Sequence, residues 1–257
     1  MAGQTAIGMT ACGLDGADGL QAGEVDVIDG DDAGTASFAA VMVILGGGLA
    51  TGHSVDELVK IYDGLHEKIG ADAWLSGRAT GEEFADAVDR PYQATGTAAR
   101  PIHIANPDAG EFAVIVDKDG RLRWDKSDIE GAHLVVLTGS DVDDAYLAGL
   151  TQAGVSYIVS EKDGVDLKNA LDLLGTEFGV KRLMLEGGAQ TNGHFLKAGL
   201  VDEVSLVIFP AIGGKSNTPA IFEGGEDGLA GRARLTFISA EAAGLGSVHL
   251  RYRVGRP

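Results

Sequence analysis

Arg182-Leu183-Met184-Leu185-Glu186-Gly187-Gly188-Ala189-Gln190-Thr191-Asn192-Gly193-His194-Phe195-Leu196-Lys197-Ala198-Gly199-Leu200 is the stretch that decides how this chain reads. Leu183, Met184 and Leu185 form an apolar run too short for a helix and suited to a buried strand. Glu186 ends it, and Gly187-Gly188 turns the backbone sharply with no Cβ atoms in the way. Ala189, Phe195, Leu196 and Leu200 then recur at helical spacing. A strand, a glycine pair and a helix start aim unpaired backbone N–H groups, at the positive end of the helix dipole, into the space above a sheet. A phosphate fits such a place. A tight βα turn without any ligand has the same letters, and spacing alone leaves both readings open.

Outward from this unit, Val201-Asp202-Glu203 leads into a second buried strand, Val204 to Phe209, stopped by Pro210. Upstream, Val55, Leu58, Val59, Tyr62, Leu65 and Ile69 keep helical spacing behind a plausible N-cap, Ser54. A strand is expected at Ala73–Ser76, then a turn and a short helix from Gly81. Pro101–Ala105 reads as a strand, and Phe112–Val116 with Leu122–Trp124 as a hairpin around Lys118-Asp119-Gly120. Strands at Leu134–Leu137 and Val155–Val159 alternate with helices near Asp143–Ala153 and Leu167–Phe178. Near the end the period becomes two: Leu235 and Phe237, then Val248, Leu250, Tyr252 and Val254. Repeated βα units closed by a hairpin predict an α/β fold with a mostly parallel sheet, helices on both faces and an antiparallel C-terminal edge. No proline-rich linker interrupts the pattern, so residues 1–257 are expected to form a single domain.

Composition narrows the function. Hydrophobic content of 45% with 23% charged residues is that of an ordinary globular protein, and the longest apolar run, Phe38 to Leu45, is too short to span a bilayer. The expectation is a cytoplasmic protein with no membrane partner. One cysteine, Cys12, and six scattered histidines offer neither a disulfide nor a metal-ligand spacing. A net charge of −18 argues against nucleic acid, because no basic surplus exists to neutralise its phosphates. An anionic cofactor would need local positive charge, for which Arg78, Lys181, Arg182 and Lys215 are candidates. Residues 1–54 stand apart: they hold 12 of the 39 glycines and no Lys or Arg, a composition suited to weakly ordered chain. Limited order is expected most clearly for residues 17–37.

The run Leu-Met-Leu-Glu-Gly-Gly, a helix, Ala198-Gly199-Leu200-Val201-Asp202-Glu203 and a strand ending Pro210-Ala211-Ile212-Gly213-Gly214 resembles the pyrimidine reductase domain of riboflavin biosynthesis, the RibD C-terminal-like group of the dihydrofolate-reductase-like superfamily. Thr218-Pro219-Ala220-Ile221-Phe222-Glu223 and Gly70-Ala71-Asp72-Ala73-Trp74-Leu75-Ser76-Gly77-Arg78-Ala79-Thr80 extend the likeness, which covers roughly residues 60–254. It implies an NADPH-dependent oxidoreductase acting on a small molecule. Hydride would pass to the ribosyl C1′ of an aminopyrimidine ribosyl phosphate or a related acceptor. A homodimer is implied as well.

The resemblance assigns cofactor contact to Gly77, Arg78 and Thr80, beside the phosphates, and to Glu186, Gly187 and Gly188, near the pyrophosphate and nicotinamide ribose. Arg78 is chemically suited to a phosphate, and Thr80 adds a hydroxyl. A capping box of Thr80 with Glu83 would explain both polar residues of that turn without a ligand. A second Glu223-Gly224-Gly225 reads as a surface loop, since acidic residues and no amphipathic helix surround it. Gly46-Gly47-Gly48-Leu49-Ala50-Thr51 invites a dinucleotide-loop reading, but the third glycine of G-x-G-x-x-G should fall at Thr51 and no acid-ended strand follows. The family's Ser-Leu-Asp-Gly-like turn is best matched by Leu14-Asp15-Gly16, so Asp15 is the sequence-based candidate for placing a proton. The stretch before it lacks the apolar run of a central strand, a departure that also leaves room for a non-catalytic nucleotide-binding member of the fold. A third class, an acidic scaffold for protein partners, would have no nucleotide affinity.

Overall fold

A computed structural model of the chain describes residues 22–25, 39–45, 52–87, 94–96, 98–210 and 220–255. Fourteen strands and five helices alternate along them. The strands are β1 (Ala22–Val25), β2 (Ala39–Leu45), β3 (Ala73–Gly77), β4 (Asp86–Ala87), β5 (Ile102–His103), β6 (Phe112–Val116) and β7 (Leu122–Arg123), followed by β8 (Asp128–Ile129), β9 (Ala132–Thr138), β10 (Ser156–Val159), β11 (Leu183–Gly187), β12 (Glu203–Ile208), β13 (Arg234–Gly244) and β14 (Ser247–Gly255). The helices are α1 (Val55–Ile69), α2 (Arg78–Gly81), α3 (Asp144–Gln152), α4 (Leu167–Glu177) and α5 (Ala189–Lys197). The main sheet runs β13-β14-β12-β2-β11-β3-β6-β9-β10-β5. Every neighbour pair from β12 to β10 is parallel, and β14, β13 and β5 are antiparallel additions at the two ends.

Both faces of this sheet are covered, which is why its central strands are apolar on consecutive residues rather than alternate ones. On β6, Ala113 and Ile115 pack with Leu58 and Tyr62 of α1 and Leu147 of α3. Phe112 and Val114 pack on the other face with Leu171 of α4 and Phe195 of α5. Each helix therefore presents one apolar stripe to one face. Helix α1 begins in a capping box, the Ser54 side chain accepting from Glu57 N while the Glu57 carboxylate accepts from Ser54 N, and ends at Gly70 with φ 61. Among the described residues no helix is long and apolar enough to cross a membrane.

Two expectations need correction. Phe112–Val116 does not form a hairpin with Leu122–Trp124, because both of its edges are taken by β3 and β9. The Asp117 carboxylate accepts from the backbone N–H groups of Arg121 and Leu122 and from the Tyr146 hydroxyl. These bonds turn the chain away, and β7 pairs with β4 in a separate two-stranded sheet. The strand between β11 and β12 is Ala39–Leu45, with β1 antiparallel on it, so Ala22–Val25 forms a strand inside a stretch expected to lack order. Asp15, Gly46 to Thr51 and Lys215 lie outside the described residues.

Candidate active site

Parallel pairing of β3 with β11 brings the turns that follow them to the same edge of the sheet, with Gly187 opposite Ser76. A Cβ on Gly77 would stand 2.6 Å from Thr191 Oγ1 and 3.6 Å from the Gly187 carbonyl oxygen. The two turns thus lie side by side, and a side chain at position 77 would collide with the Thr191 hydroxyl. Gly187 takes φ 86, a conformation that side chains disfavour. Gly188 is the N-cap of α5 and no side chain caps it, so the first-turn N–H groups of that nine-residue helix face the sheet edge. An anion is the group that satisfies such donors. Gly77, Gly187 and Gly188 are therefore brought together in a cradle whose chemistry fits a dinucleotide phosphate.

Arg78 opens α2 beside this cradle. Its guanidinium is half exposed and pairs with the Glu82 carboxylate one turn on. A phosphate would have to draw it away, at little cost for an exposed pair. Thr80 is buried, and the bond from Glu83 N ends on its carbonyl oxygen at 3.0 Å. The N-cap of α2 is Gly77, so the Thr80–Glu83 capping box does not form. Lys181 and Arg182 sit at the opposite edge of the sheet. Their backbone N–H groups both donate to Asp72 Oδ2 at 2.8 Å, and the Arg182 guanidinium donates to the Ile69 carbonyl. They cannot serve the cradle. Glu223 is exposed and lies against the first turn of α5, its N–H donating to the Ala189 carbonyl at 2.8 Å.

Glu186 behaves differently from the glycines after it. Its side chain turns away from the cradle into the space under α1, where the Tyr62 hydroxyl donates to Oε1 at 2.6 Å. Burial pushes its pKa up to about 8, the Tyr62 hydrogen bond opposes the rise, and the charges of Glu111 and Glu130 add to it. Burial thus favours the protonated form of this carboxyl. It forms one wall of a cavity of about 330 Å³ between α1 and the sheet. Trp74, Phe84 and Ile129 supply apolar surface there, and Asp63, His66 and Glu130 reach in from α1 and the β8–β9 turn. Burial raises the pKa of Asp63 and of Glu130, the latter also through the charge of Asp63. Sequence reasoning found Tyr62 only as part of an apolar stripe, and nothing in the letters joins it to a carboxylate 124 residues away.

Residues 65–248 match the family model described as the RibD C-terminal domain. A 2,5-diamino-6-ribosylamino-4(3H)-pyrimidinone 5′-phosphate reductase of Aquifex aeolicus is 34% identical over 93 residues, 36% of this chain and 41% of that one. The enzyme of the same description from Methanothermobacter thermautotrophicus is 40% identical over 79 residues, 30% of this chain and 36% of that one. The matches span less than half the length of either relative. Among solved structures, a pyrimidine reductase-like protein of Corynebacterium diphtheriae superposes with a TM-score of 0.56 at 23% identity, covering 80% of this chain and 84% of that one. That likeness is one of fold. On the extent of the family match, together with the glycine turns at the shared edge of β3 and β11, the chain belongs to the RibD C-terminal domain family, whose named relatives are reductases of riboflavin biosynthesis.

Proposed function

We propose that the chain is an NADPH-dependent reductase of the riboflavin-pathway pyrimidine reductase type, acting on an aminopyrimidine ribosyl phosphate or a close relative in the cytoplasm. The observation that carries this reading is the meeting of two glycine turns beside the uncapped start of α5, at the ends of neighbouring parallel strands. Gly187, Gly188 and the first turn of α5 would hold the cofactor pyrophosphate, Gly77 would allow its close approach, and Arg78 would flank a phosphate, with Thr80 buried behind it. The bound cofactor supplies a hydride to the acceptor's ribosyl C1′.

The chain's own task is to align the two reactants, exclude water and move one proton. As the C1′–H bond forms, the bond from C1′ to the ring oxygen breaks and that oxygen takes a proton, giving the ribityl product. Glu186, a carboxyl whose protonated form burial favours, stands on the cavity wall and is the group we assign to this transfer, alongside Asp15, the sequence-based candidate. Tyr62 acts through Glu186, fixing the orientation of its carboxyl. A homodimer is part of the reading, supported by an edge strand, β13, that leaves Leu235 and Phe237 52% and 60% exposed.

Steady-state consumption of NADPH with the aminopyrimidine ribosyl phosphate tests the proposal. Turnover dependent on both reactants is expected. NADPH binding without turnover would favour the non-catalytic nucleotide-binding member of the fold.

A further inference from the structure

The Tyr62–Glu186 hydrogen bond does more than orient a carboxyl, because of where Glu186 sits in the backbone. Strand β11 is held on both sides up to Leu185, which pairs with Val41 of β2 and Leu75 of β3. Among the described residues the pairing with β2 goes no further. On the β3 side the register slips, so that Gly187 rather than Glu186 stands opposite Ser76. Glu186 is thus the extra residue of a bulge, and a bulge disrupts the ladder and re-aims the chain. Gly187, the next residue, takes φ 86, and Gly188 after it is the N-cap of α5. The main chain therefore grips β11 least just before the turn that must be placed most accurately.

A side chain supplies the missing hold. The Tyr62 hydroxyl, from the middle of α1, donates to Glu186 Oε1 at 2.6 Å, and both residues are buried. Tyr62 is itself fixed. It packs in the core with Leu58 and Ile69, on a helix closed at one end by the Ser54–Glu57 capping box and at the other by Gly70. A stiff ring with its hydroxyl tip in a low-dielectric interior makes a short, directional tie. We propose that Tyr62 is a positioning residue for the cofactor: from the face of the sheet opposite α5 it anchors the bulge at Glu186, and so sets the placing of the Gly187-Gly188 turn against the dinucleotide. The dinucleotide as ligand rests on the reductase reading. The anchor does not, because it is measurable in the free chain.

Two measurements on the full chain make the test: hydrogen-exchange mass spectrometry without ligand, and calorimetric titration with NADPH. Tyr62→Phe keeps the ring and its packing and removes the hydroxyl. Exchange across residues 186–190 should quicken, and NADPH should bind about threefold to tenfold more weakly, the scale of one buried hydrogen bond. Glu186→Gln keeps an acceptor for the hydroxyl and should keep the parent's affinity. Glu186→Ala should lose as much as Tyr62→Phe, and adding Tyr62→Phe to it should cost nothing further, as for two members of one interaction. Tyr157→Phe is the control for a hydroxyl with a merely structural role. Tyr157 is fully buried, donates to the Ala99 carbonyl at 3.1 Å, and stands on β10, separated from β11 by β3, β6 and β9. Its loss should lower the urea midpoint and leave the turn's exchange and NADPH affinity as they were, with circular dichroism reporting that each variant is folded. Unchanged exchange across the turn in Tyr62→Phe, additive losses in the double variant, or an equal loss of affinity in Tyr157→Phe would each overturn the proposal. NADPH binding that Tyr62→Phe leaves unchanged would sink the Tyr62 assignment alone. No NADPH binding by the unaltered chain would sink the reductase reading, and with it the ligand assigned to this turn.

Discussion

Replacing Glu186 by Gln swaps a buried, titrating carboxyl for a neutral group of the same shape that can still accept from Tyr62. The gap from the ordinary 4.5 to about 8, at about 1.4 kcal/mol for each tenfold change in acid dissociation, makes ionising Glu186 cost about 5 kcal/mol more in the folded protein than in the unfolded chain. The folded-state pKa is raised, so between these values the native state holds a proton that the unfolded chain has lost. Stability from this group is fully present below pH 4.5 and falls as pH rises through about 8. Between about pH 5 and pH 7.5 the unaltered protein should lose about 3 kcal/mol through Glu186 alone. Glu186→Gln lacks this loss. Urea unfolding of both proteins across that range should therefore show the variant gaining on the parent by about that amount as pH rises. A difference in stability that stays constant with pH would refute the protonated state of Glu186 and, with it, its role as proton donor.

Further outcomes follow from the same geometry. Reductase activity should decline as pH rises past about 8, where the Glu186 proton is lost, and a pH–rate profile flat across that region would exclude it as the acid. Arg78→Ala should weaken NADPH by about ten- to a hundredfold with the fold intact, and equal weakening of NADH would show that Arg78 does not read the 2′-phosphate. Glu82→Gln frees the Arg78 guanidinium and should tighten NADPH, measured by the same titration. In Gly193→Ala the new Cβ would lie 1.8 Å from the Glu223 carbonyl oxygen, so the segment on α5 must shift at a cost of about 1–3 kcal/mol, readable as a lower urea midpoint.

Local patterns in this sequence were legible where one short segment contains its own explanation. The Leu183–Leu185 run, the glycine pair and the α5 stripe each follow from neighbouring residues, as does the Ser54–Glu57 capping box. Pairing across the sheet was not legible in the same way. Lys118-Asp119-Gly120 does turn the chain, but whether Phe112–Val116 receives Leu122 or β9 depends on which partner buries more apolar surface, and that partner begins 16 residues on. Ala39–Leu45 was visible as an apolar run, yet its place between β11 and β12 is fixed by strands more than 130 residues away. The candidate site divides likewise. Its glycines were found from the turn chemistry they share, whereas the Tyr62–Glu186 pair and Glu130 at the cavity arise from the packing of α1 and the β8–β9 turn on the sheet. The positive charge of Lys181 and Arg182 looked close to the glycine turn in sequence. A five-residue strand separates them from it, and Asp72 holds them at the other edge.

The central claim is that the neighbouring turns after β3 and β11 hold a dinucleotide. Calorimetric titration of NADPH into the full chain and into Gly187→Val, with circular dichroism of both, tests it most directly. Saturable binding by the unaltered chain, lost in a folded Gly187→Val because a β-branched side chain fills the pyrophosphate's space and resists φ 86, is the result this account predicts. Absence of NADPH binding in the unaltered chain, or undiminished binding in a folded Gly187→Val, would contradict it.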